Sequence, residues 1–350
     1  MATTARVAGR VGSHVIHKLT HSEAIMPQEI PVIDLSVFRD GDAFDRKRVA
    51  AAIADACETI GFLVVSGHGV PEADGTALHR AALDFFDLPL EEKLTVRRPR
   101  NDQNRGYIPY GEETLAKMHG QVTPADYKEV FAIGPDDVPD EPYYTCDLAY
   151  PDFAPNLWPE RPAMLRPAMA AYYEGMLRLA RLLGHAYAVA LGMPEDFFVE
   201  RLERHSCQLR LLHYPAPETE FLPDQLRCGV HTDLGLTTIL RNEAVPGGLE
   251  VRTRDGNWVA APAIPDTFVV NIGDLMMRWT NDRWRSTPHR VAIPPAQARA
   301  RSRRLSIGFF VVPNYDAAVE CIGAAGEAAK YPPVSVREYR TDRFAAGAGA

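Results

Sequence analysis

The stretch RCGVHTDLGLTTIL, residues 227–240, decides which fold the sequence indicates. Its apolar and β-branched end predicts a strand, yet a histidine and an aspartate stand just before it. Because residues two apart on a strand face the same side, the side chains of His231 and Asp233 are expected to lie next to each other. Such a pair of an imidazole and a carboxylate either binds a ligand or faces water.

A further histidine, His289 in RWRSTPHRVAIPP, opens another predicted strand. Two histidines and one carboxylate on neighbouring strands can occupy one face of an octahedral metal ion and leave three positions open, which is the ligand set of non-haem Fe(II) oxygenases. The tripeptide H-x-D is common by chance, and the loose spacing to His289 adds only modestly to it. On their own, these residues leave a solvated His-Asp pair open as the alternative.

An independent feature stands in RRLSIGFF, where Arg304 and Ser306 are two apart on a predicted strand and therefore on one face. A guanidinium and a hydroxyl in this arrangement can hold a carboxylate. Inside an otherwise apolar barrel, a buried arginine would be unfavourable without such an anion. The motif therefore predicts a site for a carboxylate ligand.

The composition limits the classes of function. The chain has 350 residues, of which 46% are hydrophobic, enough for a large core. Lys and Arg number 38 against 46 Asp and Glu, a net charge of −8, which argues against nucleic acid and favours a small-molecule partner. No apolar run reaches the roughly 18 residues of a membrane helix. Five scattered cysteines, none in a C-x-x-C pair, favour a reducing compartment, the cytoplasm.

Four regions follow one another along the chain. Residues 1–28 are predicted to be a disordered leader and residues 29–200 a helix-rich region, with a long helix at 161–192. Residues 201–340 carry short, regularly spaced strands, which indicates a jelly-roll core that forms one structural unit with the preceding helices. Residues 341–350 are expected to be a disordered tail. The predicted fold class is mainly β, with a jelly-roll core packed by N-terminal and central helices.

The order of these motifs resembles a known family. H-x-D, a distal histidine and R-x-S, in the settings HTDLGLTTIL, NIGDLMMRWTNDRWRSTPHRV and RRLSIGFF, are similar to the isopenicillin N synthase-like branch of the Fe(II)/2-oxoglutarate-dependent dioxygenases. The N-terminal segments IPVIDL, GFLVVSGHGV, RGYIPYGEE and DYKEVFAIG are similar to the family's N-terminal region, so the resemblance covers most of the chain. It implies a distorted double-stranded β-helix core with a long packing helix.

The resemblance also implies roles for individual residues. Three would bind Fe(II): His231, Asp233 and His289. Three would hold the distal carboxylate of the cosubstrate 2-oxoglutarate: Arg304, Ser306 and Tyr214. Three would line the substrate pocket, with core packing as the alternative: Arg105, Tyr107 and Phe131. One position departs from the pattern, because Leu212 stands where many relatives have an asparagine, which puts one polar contact in doubt.

The implied activity is the oxidation of an unactivated C–H bond in a small organic substrate, by hydroxylation, desaturation or ring closure. It uses O₂ and 2-oxoglutarate, releases succinate and CO₂, and belongs to specialised metabolism. The protein supplies placement rather than acid–base groups, so no general base is assigned. A monomer without a membrane partner is expected. Three alternatives remain: a 2-oxoglutarate-independent oxidase of the isopenicillin N synthase type, an ethylene-forming activity, and a non-catalytic jelly-roll binding module.

Overall fold

The computed structural model describes residues 29–323 and 327–348 of the chain. The predicted leader, residues 1–28, lies outside these ranges. The strands, in chain order, are β1 (Val32–Asp34), β2 (Phe62–Ser66), β3 (Gly106–Ile108), β4 (Glu129–Ile133), β5 (Gln208–Tyr214), β6 (Cys228–His231), β7 (Thr237–Arg241), β8 (Leu249–Arg252), β9 (Trp258–Ala260), β10 (Phe268–Ile272), β11 (His289–Val291), β12 (Arg304–Val311), β13 (Ala318–Val319) and β14 (Val334–Ser335).

Helices flank these strands and include one of 27 residues. In chain order they are α1 (Ser36–Asp40), α2 (Ala43–Thr59), α3 (Glu72–Phe86), α4 (Leu90–Leu94), α5 (Pro142–Thr145), α6 (Leu165–Leu191), α7 (Phe197–Glu200), α8 (Asp274–Trp279) and α9 (Val336–Ala348). Short 3₁₀ helices occupy Leu115–His119, Asp147–Ala149 and Ala296–Arg301. Within the described ranges, no helix is long and apolar enough to cross a bilayer.

Two sheets form the core. The larger has eight strands in the order β1-β2-β10-β7-β12-β5-β4-β3, and the smaller has four in the order β6-β11-β8-β9. All pairings in both sheets are antiparallel except β1 with β2. Buried side chains of the two sheets pack together, for example Val269 and Val64 of the larger sheet with Val251 of the smaller. Two antiparallel sheets packed face to face confirm the predicted jelly-roll core.

The alternation of side chains along a strand divides the larger sheet into two faces. On β5, Leu209 and Leu211 belong to the cluster that includes the buried residues of α3 and α6. The intervening Arg210, Leu212 and Tyr214 line an internal cavity instead. The helices therefore cover one face of the larger sheet, and the cavity lies on its other face, toward the smaller sheet.

The predicted long helix at 161–192 is confirmed as α6, which ends at Gly192 in the left-handed conformation that glycine adopts without strain. The first strand, β1, stops at Asp34, because the Asp34 carboxylate accepts hydrogen bonds from the backbone and hydroxyl of Ser36, and this turns the chain into α1. The helix-rich N-terminal region also supplies β1 to β4, half of the larger sheet. It is therefore part of the barrel wall as well as its cover.

In the structure α9 continues to Ala348, and residues 349–350 lie outside the described ranges, so the expected disorder of residues 341–350 stays a prediction. Side-chain contacts hold this helix to distant parts of the chain. Arg340 forms an ion pair with Asp152 at 2.5 Å, and Arg343 one with Asp274 at 3.2 Å. Alanine has the highest helix propensity, so once tertiary contacts fix the first turns the alanine-rich end can continue the helix.

Candidate functional site

The predicted triad comes together where the smaller sheet meets a loop. His231 is the last residue of β6 and His289 the first of β11, and the antiparallel pairing of these strands places the two histidines directly opposite each other. Their ring centroids are 4.3 Å apart. Asp233 lies beyond the end of β6, in the connection that leads to β7 of the larger sheet. The prediction that His231 and Asp233 share one strand is therefore wrong, although the two side chains do meet.

The three side chains form a compact set of possible metal ligands. Each offers one nitrogen or oxygen atom, and these atoms all lie within 4.8 Å of one another. The Nε2 atoms of His231 and His289 are each 3.8 Å from an oxygen of the Asp233 carboxylate. The arrangement fits a divalent transition metal held by two imidazoles and one carboxylate on one face of its coordination sphere.

Backbone carbonyls orient both imidazoles. Nδ1 of His231 lies 2.7 Å from the carbonyl oxygen of Gly229, and Nδ1 of His289 lies 3.1 Å from that of Thr287. Since a carbonyl can only accept, each Nδ1 carries the proton and donates. The lone pair of each ring is therefore on Nε2, the atom that faces Asp233 and could bind a metal.

The larger sheet orients the carboxylate of Asp233. Thr238 on β7 donates to its Oδ2 at 2.7 Å, and Asn271 on β10 donates to the same oxygen at 2.8 Å. Burial alone would raise the pKa of Asp233, but the two histidines and these hydrogen bonds hold it below the usual value. Burial, with His231 close by, lowers the pKa of His289 to about 4. The site thus presents a carboxylate and a neutral imidazole at neutral pH, the forms that bind metals.

The predicted anion site lies on two adjacent strands of the larger sheet. Arg304 on β12 pairs in register with Tyr214 on β5, and its Cζ lies 5.9 Å from the Tyr214 ring. Arg304 is 1% exposed, and its guanidinium donates to Ser306 Oγ at 3.1 Å. Burial lowers its pKa. Among the described residues no carboxylate forms an ion pair with Arg304, so this buried cation suits an anionic ligand.

A cavity of about 760 Å³ joins the two sites, within the size range of small-molecule sites in proteins. Its lining includes all three triad residues together with Ser306 and Tyr214. Arg304 lies behind this lining and reaches it through Ser306. Leu212, opposite Ser306 in the strand pairing, also lines the cavity and packs with Val130. At this position the wall is apolar.

Arg105, Tyr107 and Phe131, expected to line the substrate pocket or else to pack in the core, are not among the residues that line this cavity. Phe131 lies against Phe85 of α3 with ring centroids 4.8 Å apart, and the Tyr107 hydroxyl donates to Glu129 at 2.6 Å. Arg105 is fully buried and donates to backbone carbonyls, including that of Ala154. On β3 and β4 the neighbouring side chains, Ile108 and Val130, lie on the cavity side instead. A shift of one residue along a strand exchanges the two faces.

The remaining cavity wall carries polar residues that the sequence analysis missed. They include residues from the segment before β3, from β5 and from α9: Arg98, Arg100, Asp102, Asn104, Arg210, Arg337, Arg340 and Thr341. Arg210 was predictable from the sequence. It lies four residues before Tyr214 on the same strand, and side chains alternate along a strand, so both face the same side. The residues of α9 carry no comparable signal in the sequence, since the helix reaches the cavity only through the tertiary fold.

Comparison with known proteins agrees with this geometry. Residues 30–161 match the family model of the non-haem dioxygenase in morphine synthesis N-terminal region, and residues 205–313 match that of the 2OG-Fe(II) oxygenase superfamily. Validamycin A dioxygenase of Streptomyces hygroscopicus subsp. limoneus is 33% identical over 322 residues, which cover 89% of this chain and 85% of that protein. A 2-oxoglutarate-Fe(II) type oxidoreductase of Emericella nidulans is 33% identical over 319 residues, 89% of this chain and 88% of that protein.

A solved structure shows the same fold. A protein of Neurospora crassa, crystallised at full length in complex with alpha-KG, superposes with a TM-score of 0.77 at 32% identity, over 90% of this chain and 96% of that one. The chain therefore belongs to the 2OG-Fe(II) oxygenase superfamily, in its isopenicillin N synthase-like branch. It is an oxidoreductase, a dioxygenase that uses Fe(II), 2-oxoglutarate and O₂ and acts on a small molecule.

Proposed function

We propose that His231, Asp233 and His289 bind the catalytic Fe(II) of this dioxygenase. One observation carries the assignment. Both histidines donate Nδ1–H to backbone carbonyls, so their Nε2 lone pairs face the Asp233 carboxylate, and the three atoms form one open face on the cavity wall. Three protein ligands leave room on the metal for the cosubstrate and O₂.

We further propose that Arg304, Ser306 and Tyr214 hold the distal carboxylate of 2-oxoglutarate. The support is a buried guanidinium without a carboxylate partner among the described residues, hydrogen-bonded to a hydroxyl that lines the same cavity as the triad. A charge-assisted pair of contacts to a carboxylate would offset the unfavourable burial of Arg304. Leu212 contributes no polar contact, so this chain relies on Arg304 and its neighbours for the anchor.

When bound with 2-oxoglutarate and O₂, the iron supplies the oxidant for a C–H bond, with release of succinate and CO₂. The residues of the chain place the reactants and exclude water. Asp233 is kept ionised and oriented by Thr238 and Asn271, and apolar residues such as Leu212 and Val291 line the cavity beside it. No side chain of the triad is needed as a general base, because the chemistry does not depend on proton abstraction by the protein.

We propose a role in specialised metabolism, because several relatives act there by name, among them the validamycin A dioxygenase. The reaction is a hydroxylation, a desaturation or a ring closure of a small organic substrate. A monomeric cytoplasmic protein that does not bind nucleic acid is consistent with the net charge of −8 and with five cysteines that are all unpaired in the structure. Light scattering coupled to size exclusion tests the monomer.

The test of the function is anaerobic and independent of the substrate. Fe(II) and then 2-oxoglutarate are added to the apoprotein, and the visible charge-transfer band of an iron-chelated keto acid is expected. The band should be lost in His289→Ala and should require more 2-oxoglutarate in Arg304→Ala. Iron binding without a band would instead favour the 2-oxoglutarate-independent oxidase, and absence of iron binding would favour a binding module. Gas analysis for ethylene during turnover distinguishes the remaining alternative.

A further inference from the structure

Arg98 is a cavity residue to which the proposed reaction assigns no role. It follows α4, and its side chain is only 7% exposed yet lines the cavity. Within the described part of the chain, its Nε is buried and has no hydrogen-bond partner. Its guanidinium makes a long hydrogen bond there, 3.4 Å from Nη1 to the carbonyl oxygen of Asn101. A buried guanidinium with an unmet donor beside a cavity is suited to an anionic ligand.

The nearest carboxylate neutralises Arg98 only partly. Glu112 lies 3.8 Å from Nη2 of Arg98, but it lies 2.5 Å from Nη2 of Arg97, which is 54% exposed on the outside. The carboxylate is therefore shared, and its closer contact is with the outer arginine. Burial lowers the pKa of Arg98, and the nearby Arg210 lowers it further, while Glu113 and Glu112 oppose the shift. The guanidinium nevertheless remains a cation at neutral pH.

The charges behind Arg98 leave a positive excess in this wall. Arg210 pairs with Glu113 at 2.5 Å, and Lys128 pairs with Asp126 and lies 3.4 Å from Glu113. These two basic residues are thus matched by two buried acids, and the pKa of Glu113 is held at about 2 by its cationic neighbours against the effect of burial. Arg210 lines the cavity too, and its Nε is also buried without a partner among the described residues. Of the three basic residues Arg98, Arg210 and Lys128, Arg98 is the one without a close carboxylate of its own.

We propose that the substrate carries a carboxylate and that Arg98 binds it, with Arg210 beside it. This inference rests on the proposed function, because the cavity must hold 2-oxoglutarate on Arg304 and a second, acidic molecule on Arg98 at the same time. A planar guanidinium offers a carboxylate two parallel hydrogen bonds, which satisfies the unmet donors and supplies the missing counter-charge. The carboxylate fixes one end of the substrate and so determines which C–H bond is presented to the metal.

The test compares acids with their uncharged isosteres. Succinate release by the full-length enzyme with Fe(II) and saturating 2-oxoglutarate is measured with benzoate, phenylacetate, cyclohexanecarboxylate and hexanoate, and with the primary amide of each. Acids are expected to stimulate release at concentrations at least about tenfold lower than their amides, the size expected for hydrogen bonds to a charged group. Equal responses to acids and amides, or no response to any of them, would overturn the inference.

Three variants test whether Arg98 causes the preference for acids over amides. Arg98→Gln should abolish this preference. Arg98→Lys keeps the positive charge and should retain part of the preference, so the two variants separate loss of charge from loss of folding. Glu112→Gln removes the competing carboxylate and should strengthen the response to acids several-fold, a direction that a merely structural role does not produce. Arg48→Gln, which makes the same charge change at an exposed residue paired with Asp45, is the matched control and should leave the preference unchanged.

The failure of this inference is distinguishable from failure of the proposed function. If wild-type enzyme shows no charge-transfer band with Fe(II) and 2-oxoglutarate, the proposed function is wrong. If wild type and Arg98→Gln show the same band with the same 2-oxoglutarate dependence, but the acid preference survives in the variant, only the role of Arg98 is wrong. A raised 2-oxoglutarate requirement in Arg98→Gln would assign Arg98 to the cosubstrate and would equally overturn the inference.

Discussion

Replacing Thr238 by valine tests how the larger sheet prepares the metal centre. Valine keeps the shape and β-branching of threonine and removes only the hydroxyl that donates to Asp233 Oδ2 at 2.7 Å. Asn271 then remains as the other donor to that oxygen, at 2.8 Å. The side chain of Asp233 is 6% exposed, so water does not readily replace the lost donor. We expect the variant to fold with a less firmly oriented ligand.

The size of the effect can be bounded in two ways. A hydrogen bond to a charged group contributes about 1.5–3 kcal/mol. Loss of a partner that orients a metal ligand lowers metal affinity by about 10- to 100-fold, or about 1.4–2.7 kcal/mol. Because the two ranges overlap almost completely, we expect Thr238→Val to weaken Fe(II) binding by about 10- to 100-fold.

Anaerobic calorimetric titration with Fe(II) measures this change, and Thr237→Val is its matched control. Thr237 is the preceding residue of β7, buried and also hydrogen-bonded, but its hydroxyl donates to the backbone carbonyl of Asn271 at 2.7 Å on the other face of the strand. The hydroxyl of Thr237 also bonds that of Tyr187 at 3.2 Å, so the control should lose about 1–3 kcal/mol of stability, from two hydrogen bonds, with unchanged Fe(II) affinity. Equal Fe(II) affinities in the two variants would refute the proposed role of Thr238.

Three further changes test other parts of the fold and site. Arg304→Lys loses the Nε–H that donates to Ser306 and should raise the 2-oxoglutarate concentration for half-maximal succinate release by about 10- to 150-fold, from the 1.5–3 kcal/mol of a charge-assisted contact; an unchanged requirement would place the anchor elsewhere. Glu129→Gln should destabilise the fold by about 1–3 kcal/mol at neutral pH. Burial alone would raise the pKa of Glu129, but its hydrogen-bond donors hold it below the usual value, so the difference in unfolding free energy from wild type should shrink as the pH falls through that lowered pKa; a constant difference would contradict this. Tyr107→Phe should lower the melting temperature without changing the substrate concentration for half-maximal succinate release, since Tyr107 faces the helices; a changed concentration would indicate that Tyr107 contacts the substrate.

The proposed metal centre was predictable because its residue types are unusual in their local setting. An imidazole and a carboxylate just before an apolar strand, followed by a distal histidine and R-x-S, were enough to propose both ligand sets. The local geometry was not predictable. His231 ends a strand of the smaller sheet, while Asp233 already lies in the connection to the larger sheet, where its carbonyl accepts a hydrogen bond from the backbone of Asp274 at 2.7 Å.

Which residues of β3 and β4 face the cavity was not predictable, for a different physical reason. In the three residues of β3, a shift of one position exchanges the helix-facing and cavity-facing sides, and no long alternating pattern fixes which is which. The resemblance predicts Tyr107 and Phe131 in the pocket, whereas their neighbours Ile108 and Val130 pack beside Leu212 on the cavity side. An aromatic residue in a resembling motif indicates the segment but not the face.

The end of the chain shows the same limit on a larger scale. The alanine- and glycine-rich sequence after residue 340 predicts disorder, while the contacts of Arg340 with Asp152 and of Arg343 with Asp274 attach α9 to remote parts of the chain. Each partner is remote in the sequence, so no local pattern could indicate these pairs. A low-complexity composition therefore predicts disorder only where no such contacts reach the segment.

The residues proposed to bind iron and 2-oxoglutarate and those proposed to bind the substrate lie on different parts of the fold. The proposed ligands and cosubstrate anchor stand on strands β5, β6, β11 and β12, or directly beside them, where antiparallel pairing fixes their positions. Arg98 and the residues of α9 belong to peripheral segments that reach the same cavity from outside the two sheets. Because these segments can change without disturbing the strand register, substrate choice can vary while iron and 2-oxoglutarate binding stay the same. For this chain, the substrate is therefore better identified from the charge of the peripheral wall than from the motifs that define the family.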